Sequence, residues 1–399
     1  MHDKPVTILC LATYYKGASF LTEAKALGAR VLLLTREKLA DEPWPRESID
    51  RLLFMPDLHK QPDMTYAVSY LMREEAIDAI VPLDDYDVET AAALREHLRL
   101  PGLGETRVRF FRDKLAMRMQ AQANGIPVPP FTPVFSYDRL REFMDRVPPP
   151  WVLKPRSEAG AMGIRKVYDS EAVWRRLDEL GDQQSFFHLE QFIPGQIYHV
   201  DSLVYDGRIR FAQPHKYARP PMTVAHQGGV FASRTLPIGD EERAVRELNQ
   251  RLLTAFGLER GAAHAEFIRG EDGQYYFLEV AARVGGANIE QLVEAATGLN
   301  LWGEVARMEV AYARGEPYEV AQPRHHYAGI LNCLARQEWP DTSAYDDPEI
   351  VYRPRKAHHV GLVVASPSPA RVEALLNSYA ERFAGDFLAV LPPLESAPE

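Results

Sequence analysis

Two glutamates and an arginine past the middle of the chain have the types and spacing to hold a metal ion and an anion. Glu266 stands in HAEFI and Glu279 in FLEV, with Arg283, Gly285 and Gly286 just beyond. Asp272-Gly273 between them is a hairpin turn pair. Both glutamates are equally far from the centre of that turn, so they are expected to face each other across an antiparallel pair. Like charges placed so repel unless a cation lies between them. Mg2+ suits the place because it takes carboxylate and phosphate oxygens. Either glutamate alone reads as a solvated residue on an edge strand.

Cations and small residues upstream complete the set. Lys114 ends FRDK on an expected helix, and Lys154 closes the strand VLK. A loop of small residues follows, with Ser157, Gly160 and Gly163. Lysine serves as a point cation for a phosphate chain. Small residues let backbone N–H groups lie against phosphate oxygens. LEQFIPG, with Glu190, Gln191, Phe192 and Ile193, reads as a strand ending in a turn. Lys216 and Arg234 follow strands that should border the cleft; the alternative is a solvated loop cation. His199, His215, His226 and His264 lie nearby. Lone histidines are more often packed or surface residues, so none is given a role, although His226 beside Gly228-Gly229 could line a substrate pocket.

The elements that must position these residues read as follows. Residues 6–12, 30–34 and 79–83 are apolar strands separated by helices at 18–27 and 66–75, which predicts a parallel sheet. The first turn has a single glycine and is no dinucleotide fingerprint. Asp84, Asp85 and Asp87 follow a strand end, where open sheets bind ligands, or they cap the next helix. A helix over 107–124 stops at Asn124-Gly125 before a proline run. Strands at 151–154, 165–167 and 187–192 and a helix at 170–180 follow. Hairpins then turn at Asp206-Gly207 and Asp272-Gly273, with a helix at 241–256 capped by Asp240 between them. Strands and an amphipathic helix at 369–382 follow residue 323.

The 399 residues suffice for two or three packed units of ordinary globular composition. A net charge of -10 argues against nonspecific nucleic-acid binding. Cys10 and Cys333 have no partner at metal-ligand spacing, so neither zinc nor a disulfide framework is expected. No run is long enough to cross a bilayer and no signal peptide is evident, so a cytoplasmic location is expected. If the chain associates, a homodimer is the commonest closed assembly.

In this order, DK on a helix, VLKP with its glycine loop, LEQFIPG, HAEF and FLEV-x-x-R-x-GG resemble the ATP-grasp superfamily of ligases. The match spans about residues 106–315. The resemblance implies an α/β (overall α+β) ATP-grasp fold. Its units would be an N-terminal parallel-sheet domain at 1–105, an ATP-grasp domain at 106–320 with a small lobe at about 130–195, and a small C-terminal α+β domain at 321–399. It implies that Lys114 and Lys154 contact ATP phosphates and that the loop of Ser157, Gly160 and Gly163 covers them. Glu190, Gln191, Phe192 and Ile193 would form the hinge that holds adenine through backbone groups. Glu266 and Glu279 would bind two Mg2+ ions, with Mn2+ as an alternative and Glu279 bridging. Arg283 would steady the transferred phosphoryl group or the substrate carboxylate. Lys216 and Arg234 are further candidates that could meet the γ-phosphate or the nucleophile's partner, and Gly285-Gly286 would let backbone approach the substrate. Two positions depart from the family: Ile197 replaces an acidic ribose ligand, and Ala281 replaces an asparagine that serves as a third metal ligand. The EVAAR-x-GG stretch is similar to the branch of amino-acid (dipeptide) ligases and natural-product amide ligases. The implied reaction joins a small-molecule carboxylate to an amine through an acyl phosphate. The rivals are a biotin-carboxylase-like or purine-pathway enzyme, and a nucleotide sensor with a decayed site.

Overall fold

The apolar run TILCLA forms β1 (Thr7–Ala12), buried along its whole length. In the computed structural model, which describes residues 4–158, 160 and 162–391, β1 pairs in parallel with β2 (Arg30–Thr35) and β4 (Ala79–Pro82). The short edge strand β3 (Arg51–Phe54) joins β2, giving the order β3-β2-β1-β4. Both faces of this sheet are covered, which is why its strands are continuously apolar. Ile8 and Cys10 pack with Phe20 and Trp302 on one face, and Leu9 and Leu11 with Met64 and Val68 on the other. Each buried leucine stabilises by about 2 kcal/mol. Cys10 and Cys333 are both buried free thiols.

The helix expected over 107–124 is broken. A short helix (Glu105–Val108) and a 3-10 turn end at Arg112, and a new helix runs over Lys114–Ala123. Asp113 makes the break: its backbone is extended and its carboxylate caps the N–H groups of Leu115 and Ala116. Lys114 is thereby the first residue of a helix rather than a position within one. The helix at Asp240–Phe256 starts one residue early, with Gly239 rather than Asp240 in the cap position.

A small antiparallel sheet follows, built from β5 (Phe131–Pro133), β6 (Trp151–Pro155), β7 (Arg165–Val167) and β8 (Phe187–Gln191) in the order β5-β8-β6-β7. The largest sheet contains β9 (Gly195–Tyr205), β10 (Arg208–Tyr217), β11 (Phe231–Thr235), β12 (Gly261–Gly270), β13 (Tyr275–Ala281), β14 (Tyr327–Leu334), β15 (Ile350–Tyr352) and β16 (His359–Ser366). Its order is β13-β12-β9-β10-β11-β14-β16-β15. The C-terminal strands thus extend the central sheet, through β11 and β14, instead of forming a sheet of their own.

The faces of β9 decide where the site lies. Tyr198, Val200 and Val204 pack with Leu248, Leu252 and Phe256 of the helix Asp240–Phe256. On the opposite face, Leu203 joins the core beside the helix Leu301–Arg314, while His199 and Asp201 carry polar groups on the same face. That change from apolar to polar along one face marks the floor of the candidate site.

Candidate active site

Glu266 and Glu279 are direct partners in the β12–β13 ladder. The pairing arises differently from equal spacing about the turn. Near the turn Ile268 pairs with Tyr276 and Phe267 with Phe277, a register centred on Asp272. Leu278 is then an extra residue in β13, a bulge, and it moves Glu279 opposite Glu266. The bulge has its own support, because Arg118 donates to the Leu278 carbonyl.

The two carboxylates are held from different sides. Glu266 Oε1 accepts a 2.7 Å hydrogen bond from the Tyr217 hydroxyl. Glu279 Oε2 meets Lys114 Nζ at 3.1 Å. Among the described residues, Glu266 Oε2 and Glu279 Oε1 make no hydrogen bond. Two paired carboxylates, each with an oxygen to spare, fit the hard oxygen-ligand chemistry of Mg2+. The Glu279 side chain is 36% exposed to the cleft. Burial would raise its pKa, but the charges of Lys114 and Lys154 hold it below the ordinary value.

Lys154 ends at a different carboxylate. Its ammonium pairs with Glu190, which also accepts from Arg118 Nε at 2.9 Å and lies 3.4 Å from His188 Nε2. All four side chains are buried. Burial would raise Glu190, yet the Arg118 and Lys154 charges hold it well below the ordinary carboxylate range. Arg118 was missed in the sequence because it lies mid-helix in an amphipathic stretch, where a buried arginine has no local signal.

Burial drives Lys154 down to about 8, against the pull of Glu190. It is a cation at neutral pH and loses its proton at mildly alkaline pH. Arriving phosphates would restore that proton. ATP binding at about pH 9 is therefore expected to take up most of one proton, and at about pH 6.5 almost none. Calorimetry in buffers of different ionisation heat reads this directly. Lys154→Arg stays charged and should abolish the uptake. Unchanged uptake in that variant would remove Lys154 from the phosphate site.

The loop after β6 folds toward Lys114. Lys114 Nζ donates to the Glu158 carbonyl, and Arg112 Nη2 to that of Ser157 at 2.7 Å. Gly160 has φ +66° with open space where a Cβ would stand, so its glycine serves the left-handed backbone. Gly163 shares that φ. Ala159 and Ala161, expected in the same loop, lie outside the described residues.

In the expected hinge, Gln191 N–H donates to Pro130 O at 2.8 Å and Phe192 N–H to Pro150 O at 3.0 Å. Neither N–H is therefore available to read an adenine edge. The Glu190 side chain likewise faces Lys154 and Arg118. The Phe192 ring lies under Lys166 Nζ, 3.5 Å from its centroid. Ile193 joins Ile197, Ile268 and Leu278 in an apolar cluster.

Arg283 stands where β13 meets the parallel sheet. Its Nε is 3.6 Å from Asp85 Oδ1, and Arg112 Nη1 donates to the other oxygen at 2.6 Å. Burial would raise Asp85, but Arg112 and Arg283 keep it low. Asp84 pairs with Lys16, and Asp87 accepts from Thr13. The three aspartates are thus structural anchors, and Asp85 in addition steadies Arg283.

Lys216 and Arg234 require correction. They pair across β10 and β11, on the face opposite the glutamate pair. Lys216 meets Glu241 at 3.1 Å and lies over the Tyr198 ring; Arg234 meets Glu373 at 2.7 Å. The alternation of a strand explains it: Tyr217, one position on, faces the cleft. Gly285 also differs from expectation. A Cβ there would come within 2.8 Å of Asp201 Oδ1 and 3.1 Å of His264 Nδ1, so the bare backbone lies against a buried polar pair. Gly286 has open space around it.

Three of the four histidines gather beneath Glu266. His264 Nδ1 is 2.9 Å from Asp201 Oδ1, and His199 Nδ1 is 2.8 Å from Asp201 Oδ2. His199 Nε2 bonds Ser233 at 2.7 Å, and His215 stacks on His199 with centroids 4.6 Å apart. Among the described residues, His199, Asp201 and His264 are also the one group close enough together to ligate an ion. They already satisfy one another, so the arrangement reads as a hydrogen-bonded network. Burial lowers His264, but Asp201 outweighs it and raises the imidazole to about 9. His226 lies on the helix Pro221–Gln227 and is not a member.

Residues 21–102 match the family model of the ATP-grasp N-terminal domain, and residues 147–291 that of the ATP-grasp domain. Together these cover more than half of the 399 residues. The chain belongs to the ATP-grasp superfamily and is an enzyme of its ligase class. The L-arginine-specific L-amino acid ligase of Bacillus subtilis is 25% identical over 322 residues, 76% of either chain. The L-amino acid ligase of Bacillus licheniformis has the same fold, with a TM-score of 0.75 at 19% identity over 97% of this chain and 99% of that one. The biotin carboxylase domain of a Hydrogenobacter thermophilus 2-oxoglutarate carboxylase, bound to MgADP and bicarbonate, has a TM-score of 0.72 at 16% identity, over 94% and 90%. At such identities the solved structures speak to the fold alone. ATP with Mg2+ is the family's cofactor pair. Among the described residues, no helix is long and apolar enough to cross a membrane.

Proposed function

We propose that the chain is an ATP-dependent carboxylate–amine ligase acting on amino acids, with an acyl-phosphate intermediate. The observation that carries this reading is the Glu266–Glu279 pair, each with an unbonded oxygen, flanked by Lys114. Similarity to the amino acid ligase of Bacillus subtilis supports the substrate class.

In the reaction a carboxylate oxygen of the acid attacks the γ-phosphorus and the bond to ADP breaks. The amine nitrogen then attacks the acyl carbon, phosphate leaves, and the nitrogen gives up a proton. Mg2+ at Glu266 and Glu279 would neutralise charge on the β- and γ-phosphates. Lys114 and Lys154 exchange their carboxylate partners for phosphate oxygens. The loop of Ser157, Gly160 and Gly163 closes over the nucleotide and keeps water from the acyl phosphate. Arg283, held by Asp85, faces the transferred group. Positioning and charge neutralisation supply most of the catalysis in such a transfer. The N-terminal unit at 1–105 and the C-terminal unit at 321–399 would frame the acceptor side.

The test is phosphate release from MgATP against a matrix of amino acids, alone and in pairs, with mass spectrometry of the products. The proposal expects release that depends on a pair, and a product whose mass is the sum of the two less water. Release with bicarbonate alone would replace it with a carboxylase reading.

A further inference from the structure

Glu266 is gripped at one oxygen by residues that no motif assigns. Tyr217 from β10 reaches across the sheet to Oε1 at 2.7 Å. His264 lies two residues before Glu266 on the same strand and the same face, and its Nε2 is 3.6 Å from that same oxygen. Its other nitrogen is fixed by Asp201, its direct partner on β9, at 2.9 Å. Asp201 is in turn held by His199, which is anchored on Ser233. Asp201, His199, Tyr217 and Ser233 are at most 3% exposed.

A third element closes the arrangement. The backbone at Gly285 lies so near the Asp201–His264 bond that a methyl group would meet both bonded atoms, at 2.8 and 3.1 Å. A buried aspartate, three histidines, a tyrosine and a close-packed glycine are costly to assemble without a purpose for their alignment. The alignment has one consequence at the cleft: it occupies Oε1 of Glu266 and leaves Oε2 unbonded.

We propose that Tyr217 and the Asp201–His264 pair are positioning residues that hold Oε1 of Glu266, so that Oε2 is the oxygen presented to the cation. This rests on the reading of Glu266 and Glu279 as the cation site. Partners behind a metal ligand fix its orientation, and their loss weakens metal affinity about 10- to 100-fold.

The test is calorimetric binding of ADP at a series of Mg2+ concentrations, without acid or amine. In Tyr217→Phe, the Mg2+ concentration that gives half the effect should rise about tenfold. ADP binding without Mg2+ should be unchanged. The His264 pair separates positioning from structure. His264→Gln keeps a donor where Nε2 faces Glu266, while His264→Asn keeps only the one facing Asp201. The proposal expects Asn to shift the Mg2+ dependence more than Gln. A merely structural role expects equal effects, or the reverse order, tracked by the melting temperature. If a His264 variant does not fold, Tyr217→Phe decides. An unchanged Mg2+ dependence in Tyr217→Phe, beside a changed one in Glu279→Gln, overturns this inference and leaves the cation site standing. No Mg2+ effect in the unmodified protein overturns the cation site itself.

Discussion

Glu279→Gln should remove ATP turnover, lowering kcat/KM by at least about 100-fold, or roughly 2.7 kcal/mol of transition-state stabilisation. The substitution keeps the size of the side chain and removes its charge. Lys114 and Lys154 hold the Glu279 carboxyl low, so its charge is present throughout the neutral range and its loss is not offset by pH. Glu266 then faces a neutral amide across the ladder, and a dication has one charged ligand instead of two. Lys114 loses its 3.1 Å partner as well. The fold should be unaffected, because the side chain is open to the cleft and Lys114 is still held by the Glu158 carbonyl. The measurement is phosphate release beside a thermal melt. Turnover within about threefold of the unmodified protein would refute the cation site.

Glu190→Ala should give the largest loss of stability. Glu190 is the shared partner of Arg118 and Lys154, both buried. Arg118 Nη2 already lacks a partner among the described residues. Removing the carboxylate leaves the buried Arg118 guanidinium without its anion and takes from Lys154 the partner that keeps its ammonium charged, which costs about 3–5 kcal/mol. Arg118 also supports the bulge at Leu278, so the damage should reach the register of Glu279. The chain has several packed units, and unfolding need not be two-state. The melting temperature of the first transition is therefore the quantity to read. A drop of several degrees, partly restored by ATP, is expected, since phosphates would give Lys154 a new anion. An unchanged melt would show that the buried trio is not the structural centre of the nucleotide lobe.

Most elements were legible because period and punctuation agreed. The strand Arg165–Val167 and the helix Ser170–Leu180 fall where their patterns place them. The edge strand Arg51–Phe54 was not foreseen, because a short half-exposed run has neither a continuous apolar signal nor a clean alternation. The break at Asp113 was hidden in a continuous helical pattern, although aspartate before a helix is a capping signal. The glutamate pair was legible through hairpin symmetry, but the bulge that produces the pairing was not, since nothing local marks Leu278 as extra. Lys216 and Arg234 were placed by proximity in sequence. Alternation along β10 and β11 sends them to the opposite face and brings Tyr217 to the cleft instead.

The buried network shows what a single strand cannot reveal. His199 and Asp201 are two apart on β9, as His264 and Glu266 are on β12, so each pair shares a face. Only the register of the two strands sets His264 opposite Asp201 and Glu266 opposite His199. Two polar x-polar pairs on strands destined to be neighbours were the available signal. Asp85 is similar: its link to Arg283 spans two sheets and has no trace in local spacing.

The central claim is transfer of the γ-phosphoryl group to a carboxylate. The most direct measurement labels that carboxylate with oxygen-18, using the acid that supports phosphate release, and follows the label by mass spectrometry. An acyl phosphate requires one labelled oxygen to leave in inorganic phosphate, with ADP unlabelled. Label in AMP, or phosphate free of label while amide forms, would contradict the account.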